Sequence, residues 1–215
     1  TETRLNIPRL DYSNGTCPSL LVEPQRTNLQ TYSEDLSQVI IENGSVTTNV
    51  TTSPSGIQNA DLYTENATTS YHRLNNGVLT YVNGQSYTFS VYAKANGAGR
   101  YLVINAASAF NARTFFDLNN GTIALTDIGT ASIESVGNGW YRCSVTNSRV
   151  YSTGADSMYF GLSTGLTDSA YTGNGTTGFY AWGMQIEAGS YPTSYIPTTS
   201  ASVTRNADAI SCLLY

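Results

Sequence analysis

Apolar and polar side chains alternate with a period of two between residues 87 and 93: Tyr87, Phe89, Val91 and Ala93 fall on one side, Thr88, Ser90 and Tyr92 on the other. That is the pattern of a strand with one face buried. Residues 139–146 repeat it, with Tyr141, Cys143 and Val145 opposite Trp140, Arg142 and Ser144. Further strands are predicted at 19–22, 100–106, 113–118, 157–163 and 178–187, each bounded by Gly, Asn, Asp or Ser clusters. The steps Asn76-Gly77, Asn83-Gly84, Asn96-Gly97, Asn120-Gly121, Asn138-Gly139 and Asn174-Gly175 accept positive φ at little cost and predict tight turns. Short strands at this spacing, with turn signals between them, read as an all-β sandwich.

The two ends read differently from the middle. Residues 1–25 carry Pro8, Pro18, Pro24 and the turn Ser13-Asn14-Gly15, which predicts an irregular arm with one short strand, packing on the domain. Residues 26–190 hold the strand pattern. Residues 191–215 open on Tyr191-Pro-Thr-Ser-Tyr-Ile-Pro197 and predict an extended strap ending in an edge strand.

Composition narrows the class. Only 12% of the residues are charged, and Thr, Ser, Asn and Gly carry the polarity, which suits strands and turns more than solvated helices. A net charge of −5 and a pI near 4.7, with Lys94 the sole lysine, argue against binding a phosphate backbone, so nucleic acid is not expected as a partner. No apolar run is long enough for a membrane helix and no signal peptide opens the chain; it reads as a segment of a longer protein. Cys17, Cys143 and Cys212 are odd in number and far apart, so neither a disulfide framework nor a metal-binding pair is written. Buried thiols are the simple reading, and a Cys17–Cys212 bridge between the ends is the alternative. The Asn-x-Ser/Thr triplets at Asn43, Asn49, Asn66, Asn120 and Asn174 follow from the turn chemistry itself.

No Gly-x-Ser-x-Gly elbow, phosphate loop or His-Glu-x-x-His helix is present, and Glu65, Asp117, Glu134, Asp156 and Glu187 fall at strand ends or turns, where solvated charges and Asx-turns are expected. A non-catalytic role is the expectation. Sixteen tyrosines and few charges are instead the palette of a surface that recognises polyhydroxylated ligands, through ring faces and planar hydrogen-bonding groups. Away from the core, the strand at 86–95 displays Ser90, Tyr92 and Lys94, and the strand at 139–146 displays Trp140, Arg142 and Ser144. The lone histidine, His72, is flanked by Tyr71 and Arg73 and is placed at a groove rim.

Four segments go beyond pattern. They are Leu20-Leu-Val-Glu-Pro-Gln-Arg-Thr-Asn-Leu29 with Tyr32-Ser-Glu-Asp35, Tyr87-Thr-Phe-Ser-Val-Tyr-Ala-Lys94, Gly137-Asn-Gly-Trp-Tyr-Arg142, and Trp182-Gly-Met-Gln-Ile-Glu-Ala-Gly-Ser-Tyr-Pro-Thr-Ser-Tyr-Ile-Pro197 with Ser202-Val-Thr-Arg-Asn-Ala-Asp208. Together they resemble the head-spike or tail-fibre domain of bacteriophage virion proteins. The central block also resembles the jelly-roll carbohydrate-binding modules attached to polysaccharide hydrolases. The resemblance implies a jelly-roll β-sandwich of two antiparallel sheets with extended N- and C-terminal straps. It implies an extracellular place on the virion surface, contact with host or environmental glycans and with other virion subunits, and a homo-oligomer such as a trimer. A purely structural virion domain and a fragment of a polysaccharide depolymerase are the alternatives.

In such modules the concave face is the glycan groove, so the resemblance nominates Tyr92, Lys94, Tyr101, Asn105, Arg142, Tyr159 and Gln185, with Tyr71 and His72 at the rim. It also implies a structural calcium, with Glu34 and Asp35 after Asn28 and Asp208 completing the oxygen shell. The final strand, Ala181-Trp-Gly-Met184, departs from those modules, which carry aspartates there. No other cofactor is expected.

Overall fold

Most of the described residues are built as β-strand, the outcome expected where Thr, Val, Tyr and Phe are frequent and charges sparse. The computed structural model describes residues 9–11, 19–106, 112–148, 154–167 and 169–208. The expected turn at 13–15, Cys17 and Cys212 lie outside the described residues.

Near the N-terminus, β1 (Arg9–Asp11) pairs with β2 (Ser19–Leu21), and β3 (Arg26–Asn28) leads to a single 3-10 turn at Leu36–Gln38. The strands β4 (Ile40–Glu42), β5 (Gly44–Thr52), β6 (Gln58–Glu65), β7 (Thr69–Ser70), β8 (His72–Tyr81) and β9 (Ser86–Asn96) follow. Then come β10 (Tyr101–Ala106), β11 (Ala112–Asp117), β12 (Thr122–Thr126), β13 (Thr130–Gly137), β14 (Trp140–Ser148) and β15 (Gly154–Ser163). The last are β16 (Tyr171–Thr172), β17 (Gly178–Ala188) and β18 (Val203–Arg205). Two six-stranded antiparallel sheets result, one in the order β12-β11-β10-β15-β8-β4 and the other β13-β14-β9-β17-β6-β5, with two-stranded ribbons around them. This is the jelly-roll sandwich. We call the first the open sheet and the second the strapped sheet, for reasons given below.

The alternation read from the sequence defines the core. Phe89, Val91 and Ala93 of β9 and Cys143 and Val145 of β14 point inward to meet Leu102 and Ile104 of β10, Phe116 of β11 and Phe160 and Leu162 of β15. Full burial of each large side chain is worth about 1.5–3 kcal/mol. Cys143 is a free, fully buried thiol, and burial pushes its pKa far up, so it is inert packing.

Several strands escaped the sequence reading, among them β4, β5, β6, β8, β12 and β13. Their polar stretches, such as Gly44–Thr52, show no clean alternation because much of each is exposed. Asn76-Gly77 is also corrected: it is no turn but a bulge inside β8, where the register slips opposite Ser157 and Tyr159. Gly77 takes φ +78°, and the Asn76 side-chain oxygen accepts from the Met158 amide at 2.6 Å, replacing a ladder bond the bulge removes. The expected strand at the C-terminus exists as β18, but it pairs with β3 in a ribbon and does not extend a main sheet.

Two carboxylates expected to be solvated are buried instead. Glu65 is tied to Arg100 at 2.6 and 2.9 Å and also accepts from the Tyr171 hydroxyl and the Asn174 amide. Burial alone would raise its pKa, but these donors outweigh it and hold the carboxyl below its ordinary value. Glu187, fully buried, belongs to the strap described next. Asp117 does form the expected Asx-turn, accepting from the amides of Asn119 and Asn120.

Candidate functional site

The nominated residues divide between the outer faces of the two sheets. On the strapped sheet the outer face holds Tyr92 of β9, Arg142 of β14 and Gln185 of β17. A bulge at Gly183, φ +64°, shifts the register of β17, so Trp182 faces outward while Met184 and Ile186 return to the core. Any side chain at Gly183 would press on the rings of Tyr92 and Tyr195 at 3.0 and 3.4 Å. Over this face runs the segment 191–198. Gln185 accepts from the Ile196 amide at 2.8 Å, and Arg142 donates to the Thr193 carbonyl at 2.6 Å. Glu187 accepts from the amide and hydroxyl of Thr193 and from Gln185. The Tyr195 ring packs on Trp182 at 4.6 Å and meets Tyr92 edge-on at 6.4 Å. The N-terminal motif closes the same seam: Asn28 donates to the carbonyls of Met184 and Ile196, and Ser33 exchanges bonds with Thr198.

Tyr92, Arg142 and Gln185 are therefore corrected as glycan ligands. Gln185 is fully buried, and all three are spent on the chain's own strap. Burial pushes the Tyr92 hydroxyl up in pKa. The segments that carry the phage resemblance meet here and serve as a latch. Lys94 alone escapes, because it lies beyond the strap beside the turns at 51–56 and 136–140.

His72 is corrected too. It is buried, with ring nitrogens 2.7 and 3.2 Å from the carbonyls of Asn43 and Tyr171 and its ring against Tyr171 at 4.6 Å. The calcium shell does not assemble either. Asp35 caps the 3-10 turn, Glu34 accepts from Asn59 and Tyr195, and Asp208 accepts from the Glu23 amide. Among the described residues no three His, Cys, Asp or Glu side chains converge on a point.

The outer face of the open sheet carries no such strap among the described residues; Phe115 and Val103 on it are buried, while the part around Tyr71 and Arg73 is accessible. Register places Arg113, Asn105, Tyr159, Asn75 and Ile40 in one cross-strand row and Phe115, Val103, Gly161, Arg73 and Glu42 in the next. Tyr101 and Ser163 pair just beyond. Gly161 matters at the centre, since a Cβ there would stand 2.7 Å from that of Arg73. Without it the Arg73 stem lies flat, and its guanidinium sits 4.0 Å from the Tyr159 ring centre and 4.7 Å from that of Tyr71. Nε donates to Glu42 Oε2 at 2.8 Å. Among the described residues nothing bonds the terminal nitrogens Nη1 and Nη2. The result is a flat cation clamped by two rings, with its donor fork turned away from Glu42.

Tyr71, Arg73, Asn105, Val103 and Tyr159 rim a depression floored by Gly161 that encloses only ≈ 10 Å³, room for about one water. It is a shallow platform, suited to an extended ligand lying across the strands. Sequence reasoning nominated Tyr71, Asn105 and Tyr159 and set Arg73 beside Tyr71 at the groove rim, but passed over Gly161 and Glu42. The spacing of Tyr71 and Arg73, two apart where the chain leads into β8, was the available signal. The Glu42 contact joins residues 31 apart and has no local signature.

No family model matches the chain, and no curated protein matches it. The chain is similar in structure to the CBM22-1–GH10 modules of endo-1,4-beta-D-xylanase 10B from Clostridium thermocellum, complexed with xylohexaose, at 14% identity and a TM-score of 0.44 over 82% of this chain. It spans 30% of the length of that protein. A putative sugar binding protein from Bacteroides thetaiotaomicron is similar over 75% of this chain and 100% of its own, at 12% identity and a TM-score of 0.33. The tripod from the baseplate of bacteriophage Tuc2009 is similar over 88% of this chain and 75% of its own, at 16% identity and a TM-score of 0.28. At these TM-scores the likenesses assign no ligand.

Proposed function

We propose that the chain is a non-catalytic carbohydrate-binding module of a phage virion appendage, holding a host or environmental glycan across the outer face of the open sheet. The observation that carries this reading is the Arg73 clamp: two tyrosine rings and Glu42 hold the guanidinium in place, and its two terminal nitrogens have no partner among the described residues. A donor fork already ordered in the free protein loses little entropy on binding. Because Glu42 offsets its charge, the fork suits the vicinal hydroxyls of a neutral sugar more than an anion. Tyr71, 38% exposed, offers ring surface beside it. The virion setting rests on the sequence resemblance. Binding to a glycan array, followed by calorimetry on each hit, tests the reading. Arg73→Ala should weaken binding by about tenfold, the worth of one charge-assisted hydrogen-bonded contact, with the fold intact. Unchanged affinity in Arg73→Ala and Tyr159→Ala together would sink it.

A second reading, a structural virion domain that assembles through its edge, is favoured by one feature. Ile40, Val78 and Val82 are 56%, 70% and 52% exposed along the β4 and β8 margin of the open sheet. Sedimentation of the full chain and of Val78→Lys would show whether that margin joins copies.

A further inference from the structure

A second cavity lies on the other side of the molecule, between the β5–β6 turn and the β13–β14 turn. Its volume is ≈ 290 Å³, at the lower end of the range of small-ligand sites. One wall is apolar, made by Pro54 and the exposed Val136 with the almost wholly buried Trp140, and another is formed by Thr51, Thr52 and Ser53. Lys94 completes the lining.

The walls are fixed in place. The Trp140 indole donates to the Thr52 carbonyl at 3.2 Å, joining the two turns across the cavity. Asn138 and Gly139 take φ +54° and +77°, which carries the second turn round. A Cβ at Gly139 would lie 3.5 Å from Lys94 Cε, an ordinary contact, so the lysine stem runs alongside this turn. Among the described residues no carboxylate pairs with the Lys94 ammonium. This is the contrast with Arg73, whose charge Glu42 already offsets. The cation in the second cavity has its charge uncompensated in a chain of net charge −5.

We propose that this cavity binds a carboxylate-bearing saccharide, its acid group on Lys94, its ring against Pro54 and Val136, and its hydroxyls toward Thr51 and Thr52. The site is separate from the Arg73 platform and does not depend on that platform's binding a glycan. An ammonium with no internal partner favours an anion, an apolar wall beside hydroxyls favours a sugar ring, and the volume admits a single sugar residue with room for part of a neighbour.

The test is a titration of the full chain followed by proton–nitrogen correlation spectra. The probes are galacturonate, glucuronate and N-acetylneuraminate, each against its own methyl ester, with acetate as the bare carboxylate. At least one sugar acid is expected to shift signals from 51–56 and 136–140, with its ester bound about tenfold more weakly or worse. Lys94→Met, which keeps the stem and removes the charge, should abolish the shift. Lys94→Arg should retain it, and Arg73→Ala should leave it unchanged. Equal binding of acid and ester, unchanged affinity in Lys94→Met, or no shift at these turns with any acid would each overturn the proposal. Acetate binding as tightly as the sugar acids would overturn the assignment to a saccharide. Loss of neutral-glycan binding in Arg73→Ala, or its absence, reports on the platform alone.

Discussion

The two outer faces of the sandwich are built from the same kinds of side chain and put to opposite uses. On the strapped sheet, Tyr92, Arg142, Gln185 and Glu187 are paired with the chain's own residues 193–196. On the open sheet, Tyr71, Arg73 and Tyr159 organise one another and leave a donor fork without a partner. An arginine on an outer face is therefore not by itself a ligand site. Arg142 donates to a main-chain carbonyl of the strap, while Arg73 is restrained by its Nε and its planar faces, which keeps its terminal nitrogens available.

The largest expected effect breaks the closed face. Glu187→Ala leaves the amide and hydroxyl of Thr193 without their acceptor in a buried seam, leaves the Gln185 side-chain amide only its 3.4 Å contact with the Thr193 carbonyl, and removes the charge facing Arg26 at 3.7 Å. A loss of about 3 kcal/mol in denaturant unfolding is expected, with early hydrogen exchange at 193–198. Binding at the open face should persist in whatever fraction remains folded.

Next comes the floor of the open face. Gly161→Ala brings a methyl within 2.7 Å of Arg73 Cβ and 2.8 Å of the His72 carbonyl. A cost of about 1–2 kcal/mol is expected from overpacking, together with weaker glycan binding as Arg73 leaves the Tyr159 ring. Stability lost with affinity unchanged would separate the platform from the ligand.

Acid titration supplies a control that touches neither face. Glu65 has its folded pKa below the ordinary carboxyl value of 4.5, so its stabilisation is fully present above that value and is lost as pH falls through the lower folded pKa. Asp61 has the opposite sign. Burial raises its pKa above 3.8 despite bonds from the amides of Asn49 and Leu36, so its ionised form costs stability, and that cost is relieved as pH falls through the raised folded pKa. Glu65→Gln should be less stable at neutral pH and lose stability less steeply on acidification, measured by thermal melts from pH 7 to about pH 3.

The smallest effect expected is none. Tyr92→Phe removes a hydroxyl beneath the strap and should leave glycan affinity unchanged in calorimetry. A clear loss would show that the strap lifts and that the closed face also receives ligand.

Legibility in the sequence follows the range of the interaction. Phe89, Val91, Cys143 and Val145 were assigned to the core from alternation alone, because a strand's facing depends only on its own backbone. Gly77, Gly84, Gly97, Gly121, Gly139 and Gly175, the glycines of the Asn-Gly steps singled out in the sequence, adopt positive φ, though Asn76-Gly77 bends a strand where a turn was expected. Of the nominated ligands, Tyr101, Asn105 and Tyr159 fell on one sheet with Tyr71 beside it, while Tyr92, Lys94, Arg142 and Gln185 went to the other. Alternation states that a residue faces outward and is silent on what lies over it.

The all-β architecture, the inward face of each clearly alternating strand and the places where glycine must turn the chain were determined locally, by steric preferences acting within a few residues. Which outer face is closed was decided only by tertiary structure, through bonds such as Ser33 to Thr198, 165 residues apart. The strap finds its acceptors after the sheets have brought β17, β14 and the segment after β3 side by side. The same assembly, by setting Glu42 beside Arg73 and none of the described carboxylates beside Lys94, decides which cation has its charge offset within the chain.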